Sequence, residues 1–444
     1  AYPADGPGIA VLVAKDGEVT YRKAFGMASI ELDVSLSPEN VFEIGSITKQ
    51  FTAVSILMLM EDGKLSLDDD IKKFLPGYPT HGHTITIHHL LTHTSGIKSY
   101  TGMESWMAEW RTDFTEEELI DFFKNQPMDF APGEEFLYNN SAYFMLGSII
   151  GKASGVPYEE FLNTRIFEPL GMKDSYYGSK TRLIHSRAAG YQREGDGFRN
   201  ANYLSMTQPG AAGAIMSTVD DMLLWIEAVR NNTLVKQESI DKAFANHTLN
   251  NGEKINYGYG WMPSEINGSP TLEHSGGIFG YTSNGIYLPE EHVYVIALTN
   301  RDDKTPGTIS TRMAAMAIGK PYPEIKAKVE VPETVLASYT GVYEFEDGST
   351  RYITLEEGQL FSQRSGSRII GIFPQSETTF FYDDSFATIE FGKNEDGQVT
   401  AKFGNRMDKT TGIKTDKPLP ERTEVTVDAS IMQNYVGKYE LQPG

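Results

Sequence analysis

Apolar and polar positions alternate along residues 8–34, "GIAVLVAKDGEVTYRKAFGMASIELDV", on either side of a Lys15-Asp16-Gly17-Glu18 turn, which predicts a β-hairpin. From about residue 46 the period lengthens, and residues 46–230 read as mostly helical, broken by Gly- and Pro-containing loops. The run behind Ser46 is apolar on nearly every side, with Phe51, Val54, Ile56, Leu57 and Leu59, so this helix is expected to be central. "TEEELIDFFKNQ" (115–126) carries a Thr N-cap and an acidic first turn, and "STVDDMLLWIEAVRN" (217–231) has the same character. Strand patterns return from about 257, in "YGYGWMP" and then in "HSGGIFGYTSNGIYLPEEHVYVIALTN" (274–300).

Strands from both ends of this region, enclosing a helical centre, predict an α/β (α+β) class: one antiparallel sheet flanked by helices, with a mostly helical subdomain. A boundary is expected in the Pro- and Lys-rich stretch "GKPYPEIKAKVEVPETV" (319–335). Beyond it come short alternating segments with turns at Glu346-Asp347-Gly348, Glu356-Glu357-Gly358 and Asn394–Gly397, which predict a small all-β barrel. The expected division is therefore 1–330, 331–430 and a short third piece, 431–444. That last piece is set apart because "MQNYVGKYEL" (432–441) repeats the Tyr-x-Gly-x-Tyr-Glu core of "LASYTGVYEF" (336–345). It reads as the start of a further β module cut off at residue 444, with a final strand of the same barrel as the alternative.

Composition narrows the chemistry. At 444 residues the chain exceeds what one core usually supports. A formal charge of −21 opposes nucleic acid and anionic membrane surfaces as partners. No cysteine is present, which removes disulfides, thiol catalysis and thiolate metal sites. The longest apolar run, Ala53–Met60, falls far short of the ~20 residues of a membrane span. The chain begins "AYPADGPG", without a signal-peptide pattern.

Ser-x-x-Lys occurs at Ser46–Lys49, Ser95–Lys98 and Ser239–Lys242. Only the first follows a Gly and opens an apolar helix. There the two side chains, at i and i+3, share a face one turn apart. The serine meets unpaired backbone N–H groups and the positive helix end, and a lysine held there loses proton affinity and can act as a base. A helix cap followed by a surface lysine explains the pair equally well on pattern alone. Two further triplets weigh against the cap. Tyr138-Asn139-Asn140 is the single Tyr-x-Asn, and it follows a Pro-Gly turn. His274-Ser275-Gly276, followed by Gly277, is the single [His/Lys]-[Ser/Thr]-Gly, and its glycines let a ligand approach the backbone.

In this order the three motifs resemble those of the penicillin-recognising serine hydrolases, in the branch with class C β-lactamases, D-alanyl-D-alanine carboxypeptidases and D-aminopeptidases. "TITIHHLLTHTSGI", "IFEPLGMKDS" and "PGAAGAIMSTVDDM" resemble framework segments of that branch, and the likeness covers about residues 8–318. The β module resembles the lipocalin-like C-terminal domains of some members. The resemblance implies an acyl-enzyme on Ser46, with Lys49 and Tyr138 sharing base and relay duty at jointly depressed pKa values. It implies that Asn140 orients Lys49 and contacts substrate, and that the N–H groups of Ser46 and Gly277 form the oxyanion hole. His274, with Ser275 and Gly276, would line the pocket, where the histidine binds a substrate carboxylate or polarises the tyrosine. β-Lactamases carry Lys at that position, and a histidine fits D-peptidases and D-aminopeptidases better.

The substrates so implied are small peptides, esters or β-lactams, in an exported bacterial setting, with no cofactor. Broad esterase activity, or an acylatable binder with little turnover, are the alternatives. "HGHTITIHHLLTH" (81–93) holds five of the nine histidines but has no nearby carboxylate, so packing and loop hydrogen bonds are expected in place of a metal. "LSLDDD" (65–70) reads as a helix cap, and Trp106 and Trp110 as either pocket wall or core.

Overall fold

A computed structural model describes residues 2–179, 181–322, 328–382, 385–406 and 409–420. The chain divides into two compact units, Ala1–Pro321 and Tyr322–Gly444.

In the first unit a six-stranded antiparallel sheet joins the two ends of the sequence. Its strands are β1 (Ile9–Lys15), β2 (Glu18–Phe25), β3 (Met262–Ile266), β4 (Ser269–Ile278), β5 (Tyr281–Leu288) and β6 (Val293–Thr299), in the order β3-β4-β5-β6-β1-β2. The β1–β2 hairpin turns through Asp16 and Gly17, both at positive φ, as a two-residue loop of matched twist requires. Strand β1 is buried on both faces. Ala10, Leu12 and Ala14 join the main core, while Ile9 and Val11 pack with Ala297 against Ile309 and Met313 of a helix on the other face. The sheet is thus the middle layer between helices.

Four further helices matter for the site: α1 (Thr48–Glu61), α2 (Glu116–Phe123), α3 (Asn140–Ser154) and α4 (Val219–Arg230). Helix α1 is buried along its whole length up to Leu59 and stacks Phe51 on Trp225 of α4 with ring centroids 3.9 Å apart. Helix α2 opens with a capping box in which Thr115 accepts from the N–H of Glu118 and Glu118 accepts from Thr115. Thr218 caps α4, and Asp70 of "LSLDDD" caps a 3₁₀ turn at Ile71–Lys73.

Two local expectations differ from the fold. "YGYGWMP" is not a strand before Met262, because the Gly258 N–H bonds the Trp261 carbonyl at 2.7 Å and closes a turn that buries Tyr257 and Trp261. The region 46–230 is less regular than its pattern. It includes several 3₁₀ turns and a hairpin at Tyr191–Asn200, and its strands Ile215–Ser217 and Tyr176–Tyr177 join Phe42–Glu43 in a three-stranded ribbon.

The second unit is a closed up-and-down barrel of eight antiparallel strands, β7 (Gly341–Phe345), β8 (Thr350–Glu356), β9 (Gln359–Arg364), β10 (Ile370–Pro374), β11 (Thr379–Tyr382), β12 (Thr388–Lys393), β13 (Val399–Gly404) and β14 (Lys409–Thr415). Strand β14 pairs back onto β7, so the sheet has no open edge. Tyr343, Ile353, Phe380, Ile389 and Phe391 fill its interior. A short helix, Glu333–Tyr339, precedes β7 and sets Tyr339 flat on Phe391. The second copy of the Tyr-x-Gly-x-Tyr repeat lies outside the described residues.

Candidate active site

From Val41 to Leu59 every residue is buried except Ser46. It lies in a 3₁₀ turn, Gly45–Ile47, that feeds directly into α1, and neither the turn nor the helix takes a side-chain cap. The cap explanation for this serine therefore fails, and its hydroxyl is left for other work. The other two pairs serve structure: Lys98 bonds Asp129 at 2.7 Å, and Ser239 bonds Glu61 at 2.6 Å.

Lys49 follows one turn later and is fully buried. Its Nζ contacts Ser46 Oγ at 3.3 Å, Asn140 Oδ1 at 2.8 Å and the Ala212 carbonyl at 2.8 Å. No carboxylate among the described residues pairs with it, and burial pushes its pKa well below the usual lysine value. Asn139 caps α3, which places Asn140 at the first turn, and the Asn140 amide nitrogen donates to Thr101 Oγ1 at 3.0 Å. That bond fixes which end of the amide faces the lysine. Ala212 comes from a short helical turn, Gly210–Gly213, within the "PGAAG" framework segment.

Tyr138 packs its ring under the ammonium group, with Nζ 4.7 Å from the ring centroid. Its hydroxyl is buried and makes no hydrogen bond of normal geometry. Burial raises its pKa, and the nearby Ser46 hydroxyl only partly opposes this. The two pKa values are therefore not depressed together as expected. One low-dielectric site disfavours both charged forms, so the ammonium loses its proton more readily and the phenol holds its own.

Strand β3 begins only at Met262, opposite Glu273, so His274–Ile278 of β4 have no partner on that side and present an edge beside the Gly45–Ile47 turn. The approach is close. A Cβ on Gly276 would stand 2.0 Å from the Ile44 carbonyl oxygen, and one on Gly45, at φ +54°, would stand 2.8 Å from the Gly277 nitrogen. Ser275 and Gly277 are exposed on this strand.

His274 lies at the same edge but faces inward. Its Nδ1 donates to the Ser275 carbonyl at 2.7 Å, so Nε2 accepts from the Tyr257 hydroxyl at 3.0 Å. Burial and the Lys49 charge hold its pKa down at about 3. A neutral ring with both nitrogens engaged does not fit the expected grip on a substrate carboxylate. Contact with Tyr138 fits better, with ring centroids 6.2 Å apart.

Residues that the motifs did not single out complete the wall. His93, buried at positive φ, accepts the Asn139 N–H on Nδ1 at 3.0 Å and packs with its ring centroid 4.3 Å from that of Tyr138, tilted, and 4.7 Å from that of Tyr257, edge to face. His89 and Thr86 form a capping box, and His88 bonds Tyr259 at 2.8 Å, so the histidine-rich segment is used in hydrogen bonding and packing. Trp106 is pinned to Gln208 by a 2.7 Å hydrogen bond and lies against Tyr100 and Phe279, two residues past Gly277. Trp110 is buried beside them.

The family model described as Beta-lactamase matches residues 2–320. The chain belongs to the Beta-lactamase family. It is thus a member of a family of serine hydrolases, and a second model, a domain of unknown function (DUF3471), matches residues 326–411 in the barrel unit. This Beta-lactamase family chain is 31% identical to "Penicillin-binding protein 4*" of Bacillus subtilis, over 87% of the chain and 90% of that protein. It is 28% identical to a D-aminopeptidase of Gluconobacter oxydans, over 75% of the chain but only 63% of that longer protein. Among solved structures, the octameric penicillin-binding protein homologue from Pyrococcus abyssi superposes with a TM-score of 0.66 at 30% identity, covering 93% of this chain and 96% of that one. D-Amino acid amidase from Ochrobactrum anthropi, complexed with D-phenylalanine, superposes at 0.63 and 25% identity, covering 70% and 94%. No helix among the described residues is long and apolar enough to cross a membrane.

Proposed function

We propose that the chain hydrolyses amide bonds of D-amino-acid-containing peptides or amides through an acyl intermediate on Ser46. The contact set of Lys49 carries this reading. A neutral amine has two N–H donors and one lone pair. The two 2.8 Å contacts, to Asn140 and Ala212, take both donors, which leaves the lone pair for Ser46 Oγ.

In this mechanism Lys49 takes the Ser46 proton as Oγ attacks the substrate carbonyl carbon. The N–H groups of Ser46 and Gly277 receive the developing oxyanion. Tyr138, held as a phenol, gives its proton to the leaving amine as the C–N bond breaks, and is reprotonated from the Lys49 ammonium. Water then enters, loses its proton to the same pair, and releases the acid from Ser46. His274, Tyr257 and His93 hold the Tyr138 ring in place. Ser275 and Gly277 offer backbone to the substrate along the free edge of β4.

The D-residue preference draws on the D-aminopeptidase and D-amino acid amidase relatives. The aromatic wall of Trp106 and Phe279 beside the cleft suits a bulky apolar side chain. The neutral His274 supports amide substrates over carboxylate-bearing β-lactams. Such substrates point to an exported, envelope-associated enzyme in a bacterium. The test is a panel of D- and L-phenylalanine amide, D-Ala-D-Ala peptide, nitrocefin and p-nitrophenyl acetate. The reading expects kcat/KM for the D-amide to exceed the L-amide and nitrocefin by at least about 10²-fold. Equal rates on both enantiomers, or turnover of the ester alone, would overturn it.

A further inference from the structure

A second cavity, of about 320 Å³, lies in the first unit, and none of Ser46, Lys49, Tyr138, Asn140 or His274–Gly277 lines it. Its floor is built from Phe144 and Ser148 of α3, Tyr158 and Ala211, all buried. Its mouth carries the exposed carboxylates Asp113 and Glu116, with Tyr177 and Tyr203 beside them. The size is that of an ordinary small-molecule pocket.

Ser148 is the observation that points to a ligand. It is 1% exposed, and its hydroxyl has no hydrogen-bond partner. A serine inside a helix normally escapes this by donating to the carbonyl four residues back, as Ser55 does to Phe51 at 2.8 Å. Ser148 does not take that escape, and a buried polar group left unpaired opposes folding. Aromatic faces line the walls, two carboxylates stand at the mouth, and no cationic side chain lines the cavity among the described residues. Burial first, and then the charges of Glu159 and Glu116, hold the Tyr177 phenol in its neutral form on that wall. Aromatic faces with carboxylates select an organic cation.

We propose that this cavity binds a small arylalkyl ammonium: the cation at Asp113 and Glu116, the ring between the aromatic walls, and a hydrogen-bonding group at its far end on Ser148 Oγ. The site adjoins the base's own support. Ala211 of the floor accepts from Thr52 at 2.6 Å, and its neighbour Ala212 holds Lys49. The proposal is independent of the reading of Ser46.

Tyramine has these parts, and isothermal titration calorimetry on the full chain tests the site against two isosteres. Tyramine is expected to bind saturably. Phenethylammonium, lacking the hydroxyl, should bind about fivefold more weakly, and 3-(4-hydroxyphenyl)propionate, with the charge reversed, should not bind. Ser148→Ala should erase the difference between the two amines. The double variant Asp113→Asn/Glu116→Gln should weaken tyramine about tenfold. Tyr138→Phe, in the catalytic cleft, should leave tyramine binding unchanged. Thermal melts confirm that each variant is folded. Absence of saturable binding, equal binding of all three compounds, or loss of binding in Tyr138→Phe but not in Ser148→Ala would overturn the proposal.

Discussion

Asn140 Oδ1 lies 2.8 Å from Lys49 Nζ, and no charge accompanies that contact. An amide there holds the lysine without stabilising its ammonium form. Asn140→Asp would place a carboxylate at the same distance, and an opposite charge so close raises a lysine pKa by roughly 1–3 units. Lys49 must lose its proton before it can take one from Ser46. The acid limb of the pH profile of kcat/KM should therefore move to higher pH, by at least about one unit. An unmoved limb would show that Lys49 is not the titrating base.

Lys49 also sets a trade between activity and stability. Its folded pKa is lowered, so the unfolded chain binds more protons between that lowered value and the ordinary lysine range near 10.5. Stability therefore rises with pH across that window. Lys49→Met should remove this slope and raise Tm by roughly 1–4 °C at pH 7, while hydrolysis falls by about 10²–10⁴-fold. Urea midpoints at pH 7 and 9.5 read the first effect. A destabilised variant would mean that the lysine is held as a favourable cation.

Tyr138→Phe separates leaving-group protonation from attack. An amide needs a proton on its departing amine, and p-nitrophenolate does not. Amide hydrolysis should drop by about 10²–10⁴-fold and p-nitrophenyl ester hydrolysis by less than about tenfold. Equal losses would assign the tyrosine to deprotonation of Ser46.

His274 bears on acid stability. Its folded pKa is about 3 against an ordinary 6.5, so the unfolded chain binds the proton first. Stability that is complete above pH 6.5 is lost as pH falls from there toward 3, by an amount on the order of a few kcal/mol. His274→Gln, which can still accept from Tyr257, should flatten this limb in a series of melts from pH 7 to pH 4. A limb as steep as that of the native chain would move the effect to His93 or His247, which are also held neutral by burial.

The antiparallel sheet, the barrel and the three-motif site were legible because each rests on local chemistry. The Asp16-Gly17 turn fixes the first hairpin, the even alternation after residue 336 makes barrel strands, and the run behind Ser46 is apolar on nearly every side. Other features depend on contacts distant in sequence. Nothing around Ala212 marks a backbone carbonyl as a lysine ligand, and only the close pack of α1, α3 and the Gly210–Gly213 turn makes it one. His274 is expected from the resemblance to bind a substrate carboxylate or polarise the tyrosine. Its hydrogen bond to Tyr257 does not show in the sequence, because a turn, where the pattern suggests a strand, brings that residue to it. The opposed shifts of Lys49 and Tyr138 follow from burial, which a motif does not display.

The central claim is that Ser46 is the nucleophile. Intact mass after incubation with a fluorophosphonate measures it directly. The account predicts one adduct per chain, mapped by peptide digestion to Ser46, lost in Ser46→Ala, and formed more slowly as pH falls through the lowered pKa of Lys49. An unmodified chain, or equal labelling of Ser46→Ala, would contradict it.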